Sequence, residues 1–214
     1  MFFIDILFMS FFIYGICNFD NIKTKPFAIE NTKKIIYLEK QFNIFIETEL
    51  QSWFISNLGY SFYKLLHIIY HILHIPTAIP LLLYLLVVGD IYNTKYIFYI
   101  GTIIGRIINK QFPVLPPRLL HTTNIPETQT LFLKHVELES RINHDMYSSM
   151  PSLHTYWAIW VSHTLYIIFG YNYYFYFHLF TVCFTIIITG HHYIIDIIIS
   201  CFLYFILYTV LLFI

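Results

Sequence analysis

Three short motifs carry the residues of this 214-residue sequence that are best suited to chemistry. Each contains side chains that can bind an anion or move a proton: an arginine in the first, a serine and a histidine in the second, and histidine and aspartate in the third. The motifs are Pro116-Pro117-Arg118, Pro151-Ser152-Leu153-His154 and His191-His192-Tyr193-Ile194-Ile195-Asp196. They are polar clusters in a largely apolar chain, in which residues 110–150 form the one long polar loop.

The residue types in these motifs suit work on a phosphate group. His192 and Asp196 are four residues apart, so one face of a helix can carry both side chains. A carboxylate bonded to one imidazole nitrogen fixes the tautomer and leaves the other nitrogen free to attack. His154 can donate a proton to a leaving oxygen. Arg118 has a planar fork that suits phosphate oxygens, and Ser152 precedes a helix N-terminus whose N–H groups can hold an anion.

Together these residues predict a phosphoryl-transfer site. Arg118 and the helix N-terminus at Ser152 would hold the phosphate. His192 would attack phosphorus and form a phosphohistidine-type intermediate, while His154 protonates the departing group. Arginine and backbone dipoles supply the charge stabilisation in this scheme, so it requires no metal and no cofactor.

The composition predicts the kind of protein that positions these motifs. The chain is 58% hydrophobic and 11% charged, with a mean hydropathy of +0.66 and a formal net charge of zero. Disordered chains have the opposite balance, nucleic-acid-binding proteins show a basic excess, and a soluble domain carries about a quarter of charged residues. An integral membrane protein with no nucleic-acid partner is the remaining class.

A bilayer core of about 30 Å needs roughly 20 apolar residues as a helix. On that basis we expect an all-α, polytopic membrane helix bundle of about six transmembrane helices with an amphipathic surface segment. The predicted spans are residues 2–19, 67–88, 95–109, 153–169, 173–188 and 193–213. The whole chain, 1–214, is predicted to form a single membrane domain, in which 1–19 is a first span or signal anchor, 20–57 an interfacial segment and 58–214 the catalytic bundle.

This order of spans places the three motifs on one side of the bundle. The ends of the third and fifth predicted helices lie on the same side as the starts of the fourth and sixth, and the motifs fall at those places. Polar residues at membrane depth are costly and usually functional. Their coincidence on one side therefore favours a shared site.

The ordered motifs resemble those of the type 2 phosphatidic acid phosphatase superfamily. The resemblance rests on P-P-R, M-P-S-L-H-x-x-W-A and H-H-Y-x-x-D, and it covers about residues 30–200. The chain is most similar to the branch that contains inositol phosphorylceramide synthase, the aureobasidin-resistance protein. Membership would imply His192 as the nucleophile, Asp196 as its partner and His154 as the acid, with Arg118 and Ser152 at the phosphate. It would also imply a membrane lipid phosphate ester as substrate, with transfer of an inositol-phosphate-type headgroup to a lipid alcohol such as ceramide as a candidate reaction.

Two cations of the wider superfamily are absent from this sequence. The lysine expected seven residues before the motif arginine falls on Gln111, and the arginine expected six residues before the nucleophile falls on Ile186. The synthase-like branch also departs at these places. Candidates to compensate at the phosphate are Lys110, Arg106 and Arg141.

Several alternatives stay open at this point. Water as the acceptor gives a phosphatase, whereas an alcohol gives a transferase. A non-catalytic multi-pass protein that binds or moves lipid is the second class of function, although it has no need for the His154, His192 and Asp196 set. The lysines of residues 20–51 point the site to the cytosol by the positive-inside rule, while the resemblance points it to the lumen or periplasm.

Overall fold

The computed structural model describes Ser10 and residues 25–89, 94–119, 149–170 and 173–212. Across these ranges the chain is mostly helical, and they contain no β-strand, which confirms the predicted all-α class. Six helices are described: α1 (Lys25–Gln41), α2 (Glu47–Val88), α3 (Thr94–Gln111), α4 (Leu153–Phe169), α5 (Tyr173–Ile188) and α6 (Ile194–Leu212). A 3-10 turn covers Pro117–Leu119. Apart from Ser10, the predicted first span over 2–19 lies outside the described residues.

Helix α1 is amphipathic and packs one face onto the rest of the chain. Ala28, Ile35 and Glu39 recur at helical spacing and are buried, while lysines on the other face are exposed. Asn31 donates from Nδ2 to the carbonyl oxygen of Pro113 (3.1 Å), and Thr32 Oγ1 accepts from the backbone N–H of Leu115 (2.9 Å). The helix therefore supports the segment that leads to Arg118. Its position at a membrane surface stays a prediction.

Helix α2 is 42 residues long and is broken at Gly59, whose φ of 73° and ψ of 173° are not helical. Glycine occupies such a φ without a Cβ penalty. The sequence predicts a helix over 67–88 after an interfacial approach from residue 60, whereas the structure is helical on both sides of Gly59. Pro76 and Pro80 lie within the helical region.

The main hydrophobic core lies between α3, α4, α6 and the C-terminal part of α2. Tyr156 donates from its hydroxyl to the carbonyl oxygen of Ile97 (2.6 Å), so α3 and α4 are in close contact. A Cβ on Gly101 would collide with the Tyr156 ring, and one on Gly105 would come within 2.6 Å of the Leu153 side chain. The small residues of this G-x-x-x-G pattern thus serve helix packing inside the bundle.

Among the described helices, one segment, Ile194–Leu211 of α6, is long and apolar enough to cross a membrane. The apolar stretches Thr77–Val88 and Phe175–Ile188 are shorter. Helices α4 and α5 have 17 and 16 residues, fewer than the roughly 20 that a simple span needs. The count of six spans therefore remains a prediction.

Candidate active site

The three motifs lie side by side at one end of the bundle, joined by backbone hydrogen bonds. The N–H of Ser149, just before the second motif, donates to Val114, just before the first (3.3 Å). The N–H of Arg118 donates to the carbonyl oxygen of Gly190, just before the third motif (2.9 Å). The N–H of Ser152 lies 3.4 Å from the carbonyl oxygen of Asp196. Residues that are far apart in sequence are therefore held together by the chain itself.

The two motif histidines are in direct contact. His192 Nε2 lies 3.3 Å from His154 Nδ1, and the ring centroids are 5.4 Å apart. On its other side, His192 Nδ1 lies 2.8 Å from the carbonyl oxygen of Ser149 and 3.4 Å from Asp196 Oδ2. Both of these atoms are acceptors, so Nδ1 carries the proton and Nε2 holds a lone pair. Nε2 is the nitrogen that faces His154.

Asp196 is fully buried and held by several donors. Its Oδ2 accepts from Ser149 Oγ (2.5 Å) and from the backbone N–H of Tyr193 (2.9 Å). Tyr193 is the residue before α6 and Asp196 is the third residue of that helix, so the latter contact is a capping-box bond. The carboxylate therefore fixes the turn that carries His192 as well as contacting the imidazole.

The geometry of the His192–Asp196 pair differs from the sequence expectation. Helix α6 begins at Ile194, so His192 precedes the helix and the two residues do not share a helical face. The nearest acceptor for His192 Nδ1 is the carbonyl of Ser149, with Asp196 as the more distant one. The turn before the helix, rather than i,i+4 spacing within it, brings the carboxylate to the imidazole.

Ser152 is the N-cap of helix α4. Its hydroxyl oxygen accepts from the backbone N–H of Thr155 (3.2 Å) and from Thr155 Oγ1 (3.1 Å), and its side chain is buried. The hydroxyl thus stabilises the helix start, as serine commonly does. Since His154 is the second residue of α4, Ser152 helps to set the direction of that imidazole.

Arg118 is half-buried in the 3-10 turn, next to the loop between α5 and α6. Gly190 has a φ of +69°, and a Cβ there would lie 3.2 Å from the backbone nitrogen of Arg118. Of the compensating cations, Lys110 is exposed in the last turn of α3, Arg106 is half-buried on the same helix, and Arg141 lies outside the described residues. Arg118 is the cation that the chain fixes beside the third motif.

Tyr70 of α2 forms an aromatic stack with His154 and His191. The Tyr70 ring lies between His154 and His191, with centroid distances of 4.6 and 4.2 Å. His191 Nδ1 is 2.7 Å from Thr189 Oγ1. His191, the neighbour of the proposed nucleophile, is thus buried and is held by Tyr70 and Thr189.

Four residues of this region were not predicted from the sequence to belong to the site: Ser149, Tyr70, Glu39 and Glu47. Ser149 adjoins the second motif, but no spacing rule marks its carbonyl as a partner of His192. The glutamates lie in a segment whose mixed charges indicate a solvated surface, yet both are fully buried and accept hydrogen bonds from the start of α6. Only the three-dimensional fold reveals these contacts.

In the part of the chain that the structure describes, no group of three or more His, Cys, Asp or Glu side chains is arranged to hold a metal ion. Neither a curated protein nor a solved structure matches the chain. A family model described as PAP2 superfamily matches residues 33–210, which include all three motifs and the helices that carry them. The chain therefore belongs to the PAP2 superfamily, whose members are generally membrane-associated phosphatases.

Proposed function

We propose that this protein is a multi-pass integral membrane enzyme that cleaves or transfers the phosphate group of a lipid through a phosphohistidine intermediate. The observation that carries the proposal is the position of His192 Nε2, 3.3 Å from His154 Nδ1, while Nδ1 of His192 faces Ser149 and Asp196. A nucleophilic nitrogen and a proton donor thus lie within reach of one small group.

In the first step, the lone pair of His192 Nε2 attacks phosphorus and the bond from phosphorus to the lipid oxygen breaks. The departing oxygen takes a proton from His154. The imidazole of His192 becomes positively charged on phosphorylation, and the carbonyl of Ser149 and the carboxylate of Asp196 at Nδ1 stabilise that charge.

In the second step, His154 takes a proton from the hydroxyl of the acceptor, whose oxygen attacks phosphorus. The phosphorus–nitrogen bond breaks and His192 returns to its starting state. Arg118 and the N-terminal end of α4, capped by Ser152, would face the phosphate oxygens throughout. In this scheme the phosphorus atom of the substrate lies between the two imidazoles.

The outer surfaces of the helices support a membrane location. Large apolar side chains on α5 and α6 are exposed, among them Phe177, Phe180, Phe202 and Phe205, each at least 62% accessible. A soluble monomer rarely exposes so much contiguous apolar surface, whereas lipid tails cover it without cost. These faces favour a bundle in which α5 and α6 both cross the bilayer, and the six-span arrangement follows from the same reasoning for the other apolar helices.

Two acceptors are compatible with this chemistry. Water gives a lipid phosphatase, which is the activity typical of the superfamily. A lipid alcohol such as ceramide gives a transferase, and the motif resemblance to the synthase-like branch favours it, since Gln111 and Ile186 replace the two cations of the wider superfamily. Ile186 is fully buried in an apolar cluster with Ala158 and Val182, so that position packs the bundle.

The decisive experiment is a panel of lipid phosphates given to the purified protein in vesicles containing EDTA, with and without ceramide, followed by mass spectrometry. Released phosphate indicates the phosphatase, and a new phosphorylated lipid indicates the transferase. His192→Ala should abolish either product. The matched control is His163→Ala, since His163 lies on the same helix as His154 but contacts Tyr204 at 2.7 Å. Normal turnover by His192→Ala, or complete loss of activity in EDTA, would overturn the proposal.

A further inference from the structure

Two buried glutamates lie outside the proposed catalytic set. Glu39 is near the end of α1 and Glu47 is the first residue of α2, and both have zero accessible surface. The turn between the two helices, in which Asn43 adopts a positive φ of 55° and Ile44 N–H donates to the carbonyl of Glu39 (2.9 Å), brings them together. Burial of charged side chains is expensive unless they are paired, so these glutamates require an explanation.

Both carboxyl groups bind the start of helix α6. Glu47 Oε1 accepts from the backbone N–H of Ile194, and Glu39 Oε1 accepts from that of Ile195, each at 2.8 Å. Asp196 Oδ2 accepts from the N–H of Tyr193. Three successive N–H groups that a helix start leaves unsatisfied are therefore bound by three carboxyl groups, two of which come from other helices.

The surroundings of the Glu39 and Glu47 carboxyl groups change their pKa values. The negative charges of Glu47 and Asp196 act on Glu39, and that of Asp196 also acts on Glu47. Burial, together with these neighbours, raises the pKa of Glu39 to about 9 and also raises the pKa of Glu47. Tyr193 is the other titratable group beside them. At neutral pH the Glu39 carboxyl group is therefore protonated.

We propose that Glu39 and Glu47 are positioning residues: their carboxyl groups hold the first turn of α6, an arrangement called the clamp below, and thereby fix the place of Asp196 and His192. Asp196 directly follows the two clamped residues, and the turn that it caps carries His192. The effect of the clamp on catalysis rests on the function proposed above, whereas the hydrogen bonds of the clamp do not.

The clamp has a conservative test at Glu39. In Glu39→Gln the amide oxygen can accept from Ile195 and the amide NH₂ can donate to Glu47, which reproduces the protonated carboxyl without a titratable group. Glu39→Ala leaves the N–H of Ile195 without its acceptor. Glu30→Ala is the matched control, because Glu30 lies on the same helix with an exposed side chain paired to Lys34.

Hydrogen exchange of the Ile194 and Ile195 amides, measured by NMR on protein selectively labelled with ¹⁵N-isoleucine, reports the clamp without any substrate. We expect the Ile195 amide of Glu39→Ala to lose protection by about tenfold or more, as removal of a buried hydrogen-bond partner implies, while Glu39→Gln and Glu30→Ala stay near wild type. Wild-type protection in Glu39→Ala, or equal loss in Glu39→Gln and Glu39→Ala, would overturn the clamp.

Activity separates the clamp from the proposed function. With a substrate from the lipid panel, Glu39→Ala should lower kcat by about tenfold or more with little change in KM, because the reacting groups are misplaced rather than substrate binding lost. Glu39→Gln should restore kcat. Wild-type kcat in Glu39→Ala would refute the positioning role. If the Ile195 amide of Glu39→Ala loses protection while the wild-type protein turns over no lipid phosphate, the clamp is supported and the proposed function is refuted.

Discussion

The backbone N–H of Arg118 donates to the carbonyl oxygen of Gly190 at 2.9 Å, which ties the arginine motif to the turn that presents His192. Gly190 has a positive φ of 69°, and its missing side chain leaves room for the backbone of Arg118 at 3.2 Å. Glycine at this position therefore serves two purposes, since it allows the turn and allows the close approach. The spacing between Arg118, the proposed phosphate-binding residue, and the proposed nucleophile His192 depends on both.

Gly190→Ala should consequently impair activity more than its backbone strain alone explains. A positive φ costs a residue with a Cβ roughly 1–2 kcal/mol of conformational free energy. The new methyl group would also displace Arg118. Gly170→Ala is the matched control, because Gly170 has a similar φ of 78° and a methyl group there would meet open space. We expect both variants to lower the melting temperature, whereas only Gly190→Ala raises KM for the lipid phosphate.

Equal effects of the two glycine variants on KM would show that the contact with Arg118 does not position the arginine. The measurement requires initial rates over a range of substrate concentrations in vesicles and thermal unfolding in detergent for each variant. A loss of stability in Gly190→Ala without any kinetic change would assign Gly190 to folding alone.

The role of His154 as proton donor can be tested by the choice of leaving group. His154→Ala should lose activity towards an ordinary lipid phosphate, whose alkoxide must be protonated as it departs, by about 10²–10⁴-fold. Nitrophenolate departs from a nitrophenyl phosphate ester without taking up a proton, so the rate at which this ester phosphorylates His192 should change little in His154→Ala. Single-turnover release of nitrophenolate measures that step directly.

The same variant should change the pH profile of the lipid substrate. The proposed mechanism requires a neutral His192 and a protonated His154, which predicts a bell-shaped dependence of kcat/KM on pH for wild type. His154→Ala should lose the limb on the alkaline side. Equal impairment with both leaving groups, together with an unchanged bell, would contradict the assignment of His154 as the acid.

Ser149 should contribute to catalysis through Asp196 and His192. Its hydroxyl donates to Asp196 Oδ2 at 2.5 Å, and its backbone carbonyl accepts from His192 Nδ1. Ser149→Ala removes the first bond and keeps the second. A hydrogen bond to a charged group contributes about 1.5–3 kcal/mol, so we expect a lower free energy of unfolding and a kcat reduced by about tenfold.

Ser162→Ala provides the comparison for Ser149→Ala. Ser162 is a buried serine on α4 that donates to the carbonyl oxygen of Phe175 at 2.7 Å, far along the helix from His154. Both variants lose one buried hydrogen bond, and only Ser149→Ala should lose kcat. A parallel loss of kcat in the two variants would mean that stability, and not the orientation of Asp196, limits turnover.

The residues that meet at the site could be predicted from the sequence because polar side chains stand out in an apolar chain. Arg118, Ser152, His154, His192 and Asp196 all lie at one end of the bundle, since helices that alternate in direction place their ends in two layers. The lengths of the apolar runs also predict the helices α3, α4, α5 and α6 to within a few residues. These features depend on local sequence and on the alternation of helix direction.

The supporting contacts depend on tertiary structure and could not be predicted in the same way. Glu47 and Glu49 are both acidic residues in the first turn of α2, yet Glu47 is buried against α6 while Glu49 is exposed. The bend of the chain after α1 decides which of them meets Glu39, and no spacing rule encodes it. The acceptor of His192 Nδ1 could not be predicted for a related reason, because a backbone carbonyl has no signature in the residue type of Ser149.

The raised pKa of Glu39 predicts how stability changes with pH. Burial is the main cause, and Glu47 and Asp196 add to it, so that the pKa is about 9 instead of 4.5. The folded state binds a proton that the unfolded state releases, so the stability contributed by this group is fully present below pH 4.5 and is lost as pH rises through about 9. Glu39→Gln cannot release that proton.

We therefore expect the melting temperature of wild type, relative to Glu39→Gln, to fall continuously between pH 4.5 and about 9 and to level off outside this window. Glu30→Gln serves as the control, because Lys34 lowers the pKa of the exposed Glu30, and a lowered carboxyl pKa affects stability only on the acid side of that window. Thermal unfolding in one detergent at matched ionic strength gives all three curves. Parallel curves for wild type and Glu39→Gln would contradict a protonated Glu39 at the start of α6 in the folded protein.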